Sequence, residues 1–459
     1  MAIRPSRSSG IAGYFPAGRD HPSMTERDTG DPDTGSVAER LREYAEPLDG
    51  TDPSTAVDDL AFLDDALEDR RILGMGEATH GTREFFQLKH RLLRYLVLEL
   101  DCRTFAWEAN FSETLAIDRY VRRGEGDPVE AIDGVHFWTW DTEEVLAMVE
   151  WIRSFNEDRD PEDRVRFYGV DMQFSGGPAR ALREYLDEAD PDFLADVEAG
   201  LRELEDEDLN GGDDESFERR REDVAALLSD LEDRFADRRE AYEAATGPDE
   251  YRLARRHLRT LRQAFESRRA MADREEAGYA LRDEYMAENA SWVLDHEDAD
   301  LVALWGHNAH VKTTPVRSDL DDDWEAFEST GGHLREEHGD DYYVVGFEFG
   351  RGSFQAIPDP EEVEEPELGE FSLDEPIEDT VPDVLDDVGY STFFVDLASA
   401  AGDPDLADWL GEERRMHSLG AIYYVAGETG THYTDVVLAD EYDGLLFVDG
   451  TERAVPIEE

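Results

Sequence analysis

Short apolar runs that alternate with longer helical stretches are the feature that most constrains the fold of this chain. The alternation begins near residue 55 and returns towards the end of the sequence. Strands that alternate with helices are typical of βαβ units, in which a parallel sheet lies between layers of helices. We therefore predict an α/β fold with a mostly parallel central sheet flanked by helices. The predicted strands are Arg71–Glu77, Thr104–Asn110, Val165–Asp171, Leu301–His307, Tyr343–Glu348, Tyr390–Leu397, Ala421–Val425 and Gly444–Asp449.

The strand pattern disappears between residues 175 and 298, where the sequence is charged and helical throughout. Its long predicted helices are Phe217–Ala245 and Tyr251–Asp295. A coiled-coil partner surface is the competing interpretation, but the apolar repeat is too irregular for sustained heptads. We therefore predict that residues 175–298 form a helical subdomain inserted into the sheet domain.

The domain organisation follows from this insert. Residues 36–174 and 299–459 are predicted to be the first and second parts of one α/β catalytic domain. Residues 1–35 are rich in Gly, Pro, Ser and Asp and are predicted to be a disordered N-terminal extension. Met24 is an alternative start to Met1.

The charge of the chain is extreme. The sequence has 114 acidic and 45 basic residues, a formal net charge of −69, and only two of the basic residues are lysines, Lys89 and Lys312. Carboxylates at this density repel one another unless dense counterions screen them within about 3 Å, as in molar salt. Since the acidic residues are spread among patterned apolar segments, we predict a globular surface adapted to a high-salt cell.

The composition also excludes several classes of partner. No basic patch for nucleic acid or an anionic membrane is visible, and no apolar run approaches the roughly 18 residues of a membrane helix. The single cysteine, Cys102, rules out an internal disulfide and is interpreted as a buried, inert thiol. With no secretory signal visible, we expect a cytoplasmic protein that acts on a small molecule. The sequence leaves the oligomeric state open.

Acidic and basic side chains stand at the ends of the predicted strands. Glu77, Glu108, Asp171 and His307 each end an apolar run, and Glu348 is a fifth candidate. Ligands of open parallel sheets bind at the carboxyl ends of the strands, where the strand–helix loops converge. These side chains therefore indicate one site at that edge.

The first of these turns reads Gly76-Glu77-Ala-Thr-His80-Gly81. Glycines let the backbone bend tightly and approach a substrate closely. The positive end of the following helix disfavours a charged His80 and keeps its ring available as a base, which Glu77 would orient. The alternative is a structural turn in which His80 only caps or hydrogen-bonds.

Lys89 lies in the middle of the apolar face of the predicted helix Thr82–Leu100. Burying a lysine without a partner costs several kcal/mol, so it must either reach past the core or meet a buried carboxylate. Lys89 is thus a second candidate for the site, with a purely structural ion pair as the alternative.

A later strand ends in Trp305-Gly306-His307-Asn308-Ala309-His310, which offers two imidazoles three residues apart. This spacing after an apolar run indicates that His307 and His310 belong to a site, although core or capping roles are the alternative.

These motifs together resemble the erythromycin esterase family, over roughly residues 37–455. The resemblance continues more weakly through ERRMHSLGAIYY (Glu413–Tyr424). The segments that carry it are GEATHGTREFFQLKHRLL (Gly76–Leu93), FAWEAN (Phe105–Asn110), YGVDMQ (Tyr168–Gln173), RDEYMAEN (Arg282–Asn289) and WGHNAHV (Trp305–Val311).

The resemblance implies an α/β sheet with a helical insert and a carboxylic-ester or lactone hydrolase. It also implies that His80 is the general base that activates water, with Glu77, Glu108, His307 and His310 completing the site. Lys89 matches a position where antibiotic-cleaving members have arginine, which leaves the substrate open. Macrolide cleavage, and the antibiotic resistance it confers, is a property of some members only.

Covalent serine catalysis is not expected, because the chain has no G-x-S-x-G motif. Our hypothesis is direct attack of His80-activated water on an ester or lactone, without a cofactor. His307, His310 and Lys89 would stabilise the oxyanion, while Glu108 pairs with a cation or positions water. Arg282, Asp283 and Asp171 are the candidate substrate-binding residues.

Two alternatives use the same residues. Glu77, His80, Glu108, His307 and His310 offer nitrogen and oxygen donors suited to a metal-dependent hydrolase. A non-catalytic small-molecule-binding protein is the other alternative, although a binding cleft needs no base.

Overall fold

The structure is a computed structural model that describes residues 34–206, 208–209, 214–317, 324–359, 363, 366–425 and 432–457. Most of the predicted N-terminal extension, including Met24, lies outside the described residues. Residues 34 and 35, which we assigned to that extension, instead begin the first helix.

A ten-stranded mixed sheet forms the centre of the described chain, and a two-stranded sheet lies apart from it. The strands are β1 (Ala45–Pro47), β2 (Ile72–Met75), β3 (Thr104–Asn110), β4 (Arg166–Asp171), β5 (Val302–Trp305), β6 (Tyr342–Pro358), β7 (Gly369–Leu373), β8 (Thr392–Asp396), β9 (Arg414–His417), β10 (Ile422–Tyr423), β11 (Tyr433–Val436) and β12 (Gly444–Thr451).

Helices cover the sheet and fill the long connection between β4 and β5. They are α1 (Thr34–Leu41), α2 (Phe62–Ala66), α3 (Arg83–Leu98), α4 (Phe111–Arg123), α5 (Pro128–Asp133), α6 (Glu143–Asn156), α7 (Gly176–Ala189), α8 (Pro191–Asp206), α9 (Asp214–Asp237), α10 (Arg239–Thr246), α11 (Pro248–Asp273), α12 (Glu275–Glu297), α13 (Asn308–Val311), α14 (Thr330–His338), α15 (Val381–Asp387), α16 (Leu397–Ala401), α17 (Pro404–Gly411) and α18 (Leu438–Glu441). Short 3-10 helices lie at Asp58–Leu60, Pro161–Asp163 and Gly339–Asp341.

The strand order of the large sheet is β1-β8-β12-β6-β2-β5-β3-β4, with β7 and β10 also paired to β6. The neighbours from β12 to β4 in this order are all parallel, whereas β8 runs antiparallel to both β12 and β1. The predicted α/β class with a mostly parallel sheet and a helical insert is confirmed.

Side chains of the central strands alternate between two cores, one on each face of the sheet. Met75 and Trp107 belong to the core beneath α3 and α6. Ile72 and Ala106 belong to the core beneath α12 and α15. Because both faces are covered, the central strands are apolar throughout, as expected for a buried parallel sheet.

Helices α7 to α12 form the insert, and α7 to α11 have a core of their own, which includes Leu182, Leu228 and Leu261. The long helix predicted over Tyr251–Asp295 is instead two helices, because Arg274 adopts an extended backbone between α11 and α12. The other predicted long helix, Phe217–Ala245, is likewise divided at Arg238. Among the described residues, no helix is both long enough and apolar enough to cross a membrane.

Strand β5 positions the site. Although it follows the insert in sequence, it lies between β2 and β3 in the sheet. The carboxyl ends of β2, β5, β3 and β4 are therefore neighbours, and the polar residues that follow these strands meet at one edge.

Candidate active site

The turn after β2 depends on two glycines because later segments of the same chain approach its backbone closely. A Cβ atom on Gly76 would collide with the Asn308 side chain, and one on Gly81 would collide with the carbonyl oxygen of Gln355. The turn carries Glu77 and His80 to the sheet edge, and Thr82 is the N-cap residue of α3.

Glu77 is fully buried and accepts hydrogen bonds from three side chains. Its Oε1 atom lies 2.7 Å from His80 Nδ1, and its Oε2 atom lies 2.5 Å from Lys89 Nζ and 2.6 Å from Trp305 Nε1. A carboxylate can only accept, so His80 donates its Nδ1–H and, in the neutral ring, its Nε2 is left unprotonated. The His80 side chain is 13% exposed, whereas Glu77 and Lys89 have no exposed surface.

Lys89 meets a buried carboxylate, which is one of the two outcomes expected for a lysine on this apolar face. Its ammonium also lies 4.3 Å from the centroid of the Trp305 ring, where a cation–π contact adds to the ion pair. Burial lowers the pKa of Lys89 to about 8, against the opposing charge of Glu77. Burial likewise opposes ionisation of Glu77, but Lys89 and His80 outweigh it and lower the pKa of that carboxyl.

Glu108, at the end of β3, joins Arg282 of the insert to the turn after β5 that carries His307. Its Oε1 atom lies 2.7 Å from Arg282 Nη2, and its Oε2 atom accepts the backbone N–H of His307 at 2.8 Å. Asp171, at the end of β4, accepts from the same guanidinium at 2.9 Å. Although burial opposes ionisation, the charges of His310 and Arg282 hold the pKa of Glu108 well below its usual range.

His310 lies between two carboxylates. Its Nδ1 is 2.8 Å from Asp283 Oδ1, and its Nε2 is 3.1 Å from Glu108 Oε1 and 3.0 Å from Arg282 Nη1. Thr330 donates its backbone N–H and its hydroxyl to the same Asp283 oxygen, both at 2.9 Å. Burial disfavours the charged ring, but Asp283 and Glu108 raise the pKa of His310 to about 9, so it is an imidazolium at neutral pH.

The raised pKa of His310 predicts a pH-dependent stability. Its pKa is near 6.5 in an unfolded chain, so its stabilising contribution is complete below pH 6.5 and is lost as the pH rises towards 9. We expect His310 to lower the free energy of unfolding by roughly 1 kcal/mol between pH 7 and 8, so that this free energy falls by about that much more in wild type than in His310→Gln. Denaturant titrations at both pH values measure it.

His90→Gln is the matched control for this prediction. His90 is also buried, but burial lowers its pKa to about 3 and no carboxylate holds it. Its replacement should leave the fall between pH 7 and 8 intact. A fall of the same size in His310→Gln would show that His310 is not the titrating group. Deprotonation of Lys89, whose pKa is about 8, adds an opposite slope in this interval, and that slope is common to wild type and both variants.

His307 lies between the Glu77–His80 pair, which its ring contacts, and Glu108, to which its backbone N–H donates. Its ring Nδ1 accepts the backbone N–H of Ala309 at 3.2 Å, which places the ring proton on Nε2. That Nε2 is buried and has no hydrogen-bond partner among the described residues. Burial, with the charge of His80 adding to it, lowers the pKa of His307 to about 3, so the ring is neutral. The ring centroids of His80 and His307 are 4.9 Å apart.

The structure brings all nine predicted site residues into one connected network, and it adds members that the sequence analysis did not assign. Trp305 donates to Glu77 and Thr330 to Asp283, yet neither residue type carries a recognisable signal at these positions. Glu348 and His417 form a further buried pair, with 2.8 Å between Oε1 and Nδ1. Glu348 is the fifth strand-end candidate of the sequence analysis, and His417 lies in the segment Glu413–Tyr424, where the resemblance is weaker.

Metal binding was the main alternative for this cluster. Among the residues that the structure describes, no three His, Cys, Asp or Glu side chains are grouped so that they could hold a metal ion. Glu77 and Glu108 already accept from cations and N–H groups, and His310 Nε2 faces the Arg282 guanidinium at 3.0 Å. The donor atoms therefore act in hydrogen bonds and ion pairs in this arrangement.

Comparison with known proteins places this chain in a family. Residues 97–451 match the family model described as erythromycin esterase. The erythromycin esterase type II of Escherichia coli is 25% identical over 363 residues, which cover 75% of this chain and 84% of that protein. A crystal structure of a Bacillus cereus protein superposes with a TM-score of 0.80 at 25% identity, covering 93% of this chain and 100% of that chain. An erythromycin esterase mutant in its open conformation shares the fold, with a TM-score of 0.67 at 16% identity over 89% of this chain and 98% of that chain. The chain belongs to the erythromycin esterase family.

Proposed function

We propose that this protein is a hydrolase that cleaves a carboxylic ester or lactone by attack of water activated by His80. The observation that carries the proposal is the Glu77–His80 hydrogen bond of 2.7 Å. It fixes the proton of the neutral ring on Nδ1 and leaves Nε2 as a base on the more exposed side chain of the pair. A positioned base oriented by a buried carboxylate is the arrangement that general-base catalysis requires.

The first step transfers a proton from water to His80 Nε2 as the water oxygen bonds to the carbonyl carbon. The resulting imidazolium is stabilised by Glu77, which Lys89 and the Trp305 indole N–H keep ionised. Collapse of the tetrahedral intermediate breaks the bond to the leaving oxygen, which takes the proton from His80. An alcohol and a carboxylate are released, or a hydroxy acid when the substrate is a lactone.

His307 is the proposed donor to the oxyanion. Its Nε2–H is buried without a partner among the described residues, and its ring lies 4.9 Å from that of His80. Because the two rings are in contact, a carbonyl placed against both of them would have the base and the donor within reach. An oxyanion donor is typically worth about 10²–10³ in kcat.

The geometry changes the roles proposed for the other site residues. Lys89 and His310 direct their protons to carboxylates, so we propose that they position Glu77 and Glu108 rather than contact the oxyanion. Asp171 and Asp283 are fully buried, and we propose that they hold Arg282 and His310 rather than touch the substrate. Antibiotic-cleaving members of the family have an arginine at the position of Lys89. Lys89 keeps that positive charge, which would then act through Glu77.

The family and its hydrolase relatives support a small-molecule substrate. The Escherichia coli relative is named for erythromycin, a macrocyclic lactone, so macrolides belong among the substrates to be tested.

A panel of esters and lactones that includes macrolides tests the proposal. We expect wild-type protein in molar KCl to hydrolyse at least one member, with a rate that stays within twofold when EDTA is present. Loss of activity with EDTA, and its return with added metal, would favour the metal-dependent alternative. No hydrolysis of any member by protein shown to be folded by circular dichroism would favour a binding protein.

A further inference from the structure

A cavity of about 410 Å³ opens in the helical insert. It lies among α10, α11 and α12. Five arginines line it, Arg239, Arg252, Arg255, Arg256 and Arg259, and Glu288 is the one acidic residue in its wall.

This wall contrasts with the rest of the chain. The sequence has 114 acidic and only 45 basic residues, yet here basic side chains outnumber acidic ones five to one. In a chain that carries a net charge of −69, five guanidiniums around one opening concentrate positive charge locally, although Glu243, Asp249 and Glu266 pair with three of them from outside the wall. A concave positive surface concentrates anions from solution.

The acidic residues nearby do not occupy all of the arginine donors. Glu288 is shared between Arg256, at 3.1 Å, and Arg259, at 2.5 Å. In the described part of the chain, Arg252 pairs with Asp249 alone, three residues away on its own helix. Arg255 is exposed and has no hydrogen-bond or ion-pair partner among the described residues. Donors therefore remain for a ligand.

Arg256 forms the inner wall of the cavity. It is only 5% exposed, and its buried Nε–H has no partner in the described part of the chain. Burying a guanidinium is costly unless its charge is well compensated, and Arg256 has only a shared carboxylate and the uncharged side-chain oxygen of Asn289, to which its Nη2 donates. Its guanidinium carbon lies 5.2 Å from the centroid of the Trp292 ring, so an aromatic surface adjoins the charged one.

We propose that this cavity binds a small molecule that carries a multiply charged oxyanion, with phosphate or pyrophosphate as the recognised group. Guanidinium groups present paired N–H donors that match the oxygens of a phosphate in a bidentate manner. Several guanidiniums around one cavity suit an anion with more than one charge, and Trp292 offers a flat surface to an organic substituent.

The site is separate from the active site, although α12 contributes to both. Arg282 and Glu288 lie six residues apart on this helix, which corresponds to about 9 Å along the axis and about 240° around it. A ligand in the cavity therefore meets a different side of α12, and this inference does not depend on the proposed hydrolase function.

Isothermal titration of the full-length protein with inorganic phosphate, pyrophosphate and phenyl phosphate tests the proposal. The titrations use KCl buffers of fixed ionic strength in which the protein is folded. We expect saturable 1:1 binding of pyrophosphate, tighter than that of phosphate. Phenyl phosphate that binds more tightly than phosphate would identify an organic phosphate ester as the ligand, and equal binding would identify the free anion.

The double variant Arg252→Ala/Arg255→Ala removes two exposed donors without opening the core. We expect it to weaken pyrophosphate binding at least tenfold. Arg269→Ala is the matched control, because Arg269 is exposed on the same helix but lies roughly 21 Å further along it. Non-saturable heats for all three anions, or an equal loss in Arg269→Ala, would overturn the proposal and indicate general screening of charge.

Discussion

Replacement of His80 by alanine is expected to lower kcat by about 10²–10⁴ for the substrate that the ester panel identifies. The variant removes the base that accepts the proton of water, while the buried carboxylate and the Lys89 ammonium remain in place. Because His80 lies at the surface end of this network, with 13% of its side chain exposed, the fold should tolerate the change. Steady-state kinetics, with circular dichroism to confirm folding, measure the effect.

The matched control for this variant is His333→Ala, at a half-buried histidine on α14 outside the network. It should change kcat less than twofold. Glu77→Gln should also slow the reaction, since a neutral amide neither fixes the tautomer of His80 nor stabilises its imidazolium. Activity of His80→Ala within twofold of wild type would show that another group activates the water.

Replacement of Lys89 by methionine is expected to destabilise the protein by about 3–5 kcal/mol at pH 7, because removing one partner of a buried ion pair leaves an uncompensated charge. Glu77 would keep hydrogen bonds from His80 and Trp305 but would lose its positive neighbour at 2.5 Å. Urea or guanidinium titration of wild type and variant gives the difference in unfolding free energy.

Two further variants make this test specific. Adding Glu77→Gln to Lys89→Met should restore much of the lost stability, since the buried charge is then absent. Arg262→Met breaks the more exposed ion pair with Glu232 and should cost less than about 1 kcal/mol. Equal losses in Lys89→Met and Arg262→Met would contradict a role for Lys89 in compensating Glu77.

The sheet edge was predictable because it follows from local pattern and general topology. The apolar runs that end in Glu77, Glu108 and His307 are strands, and parallel strands bring their carboxyl ends to one edge. The contact of Glu108 with His307 spans 199 residues of sequence, yet it requires only that the two strands be neighbours. Lys89 was predictable for a different reason, since a lysine on an apolar helix face requires a partner.

The packing of the insert was harder to predict, because its helices are not placed by pairing with neighbouring strands. The RDEYMAEN motif identified Arg282 and Asp283, but their contacts depend on how α12 packs against the sheet. Arg282, for example, contacts Asp171, which lies 111 residues earlier in the sequence. Periodicity also failed at Arg274, where an extended backbone divides the helix. Similarly, the length of β6 comes from later strands that pair along it, which the apolar run Tyr343–Glu348 does not reveal.

The central place of β5 has a consequence for how the chain folds during synthesis. Strands β3 and β4 can pair as soon as they leave the ribosome, but β2 has its sheet partners only in β5 and β6. Until residue 305 is made, β2 and one edge of β3 have no neighbouring strand. Unpaired apolar edges are prone to aggregation, and long-range closure of this kind is slow. Six helices, α7 to α12, must therefore be synthesised before β5 can join β2 to β3. Only then is the sheet edge that carries the candidate active site complete.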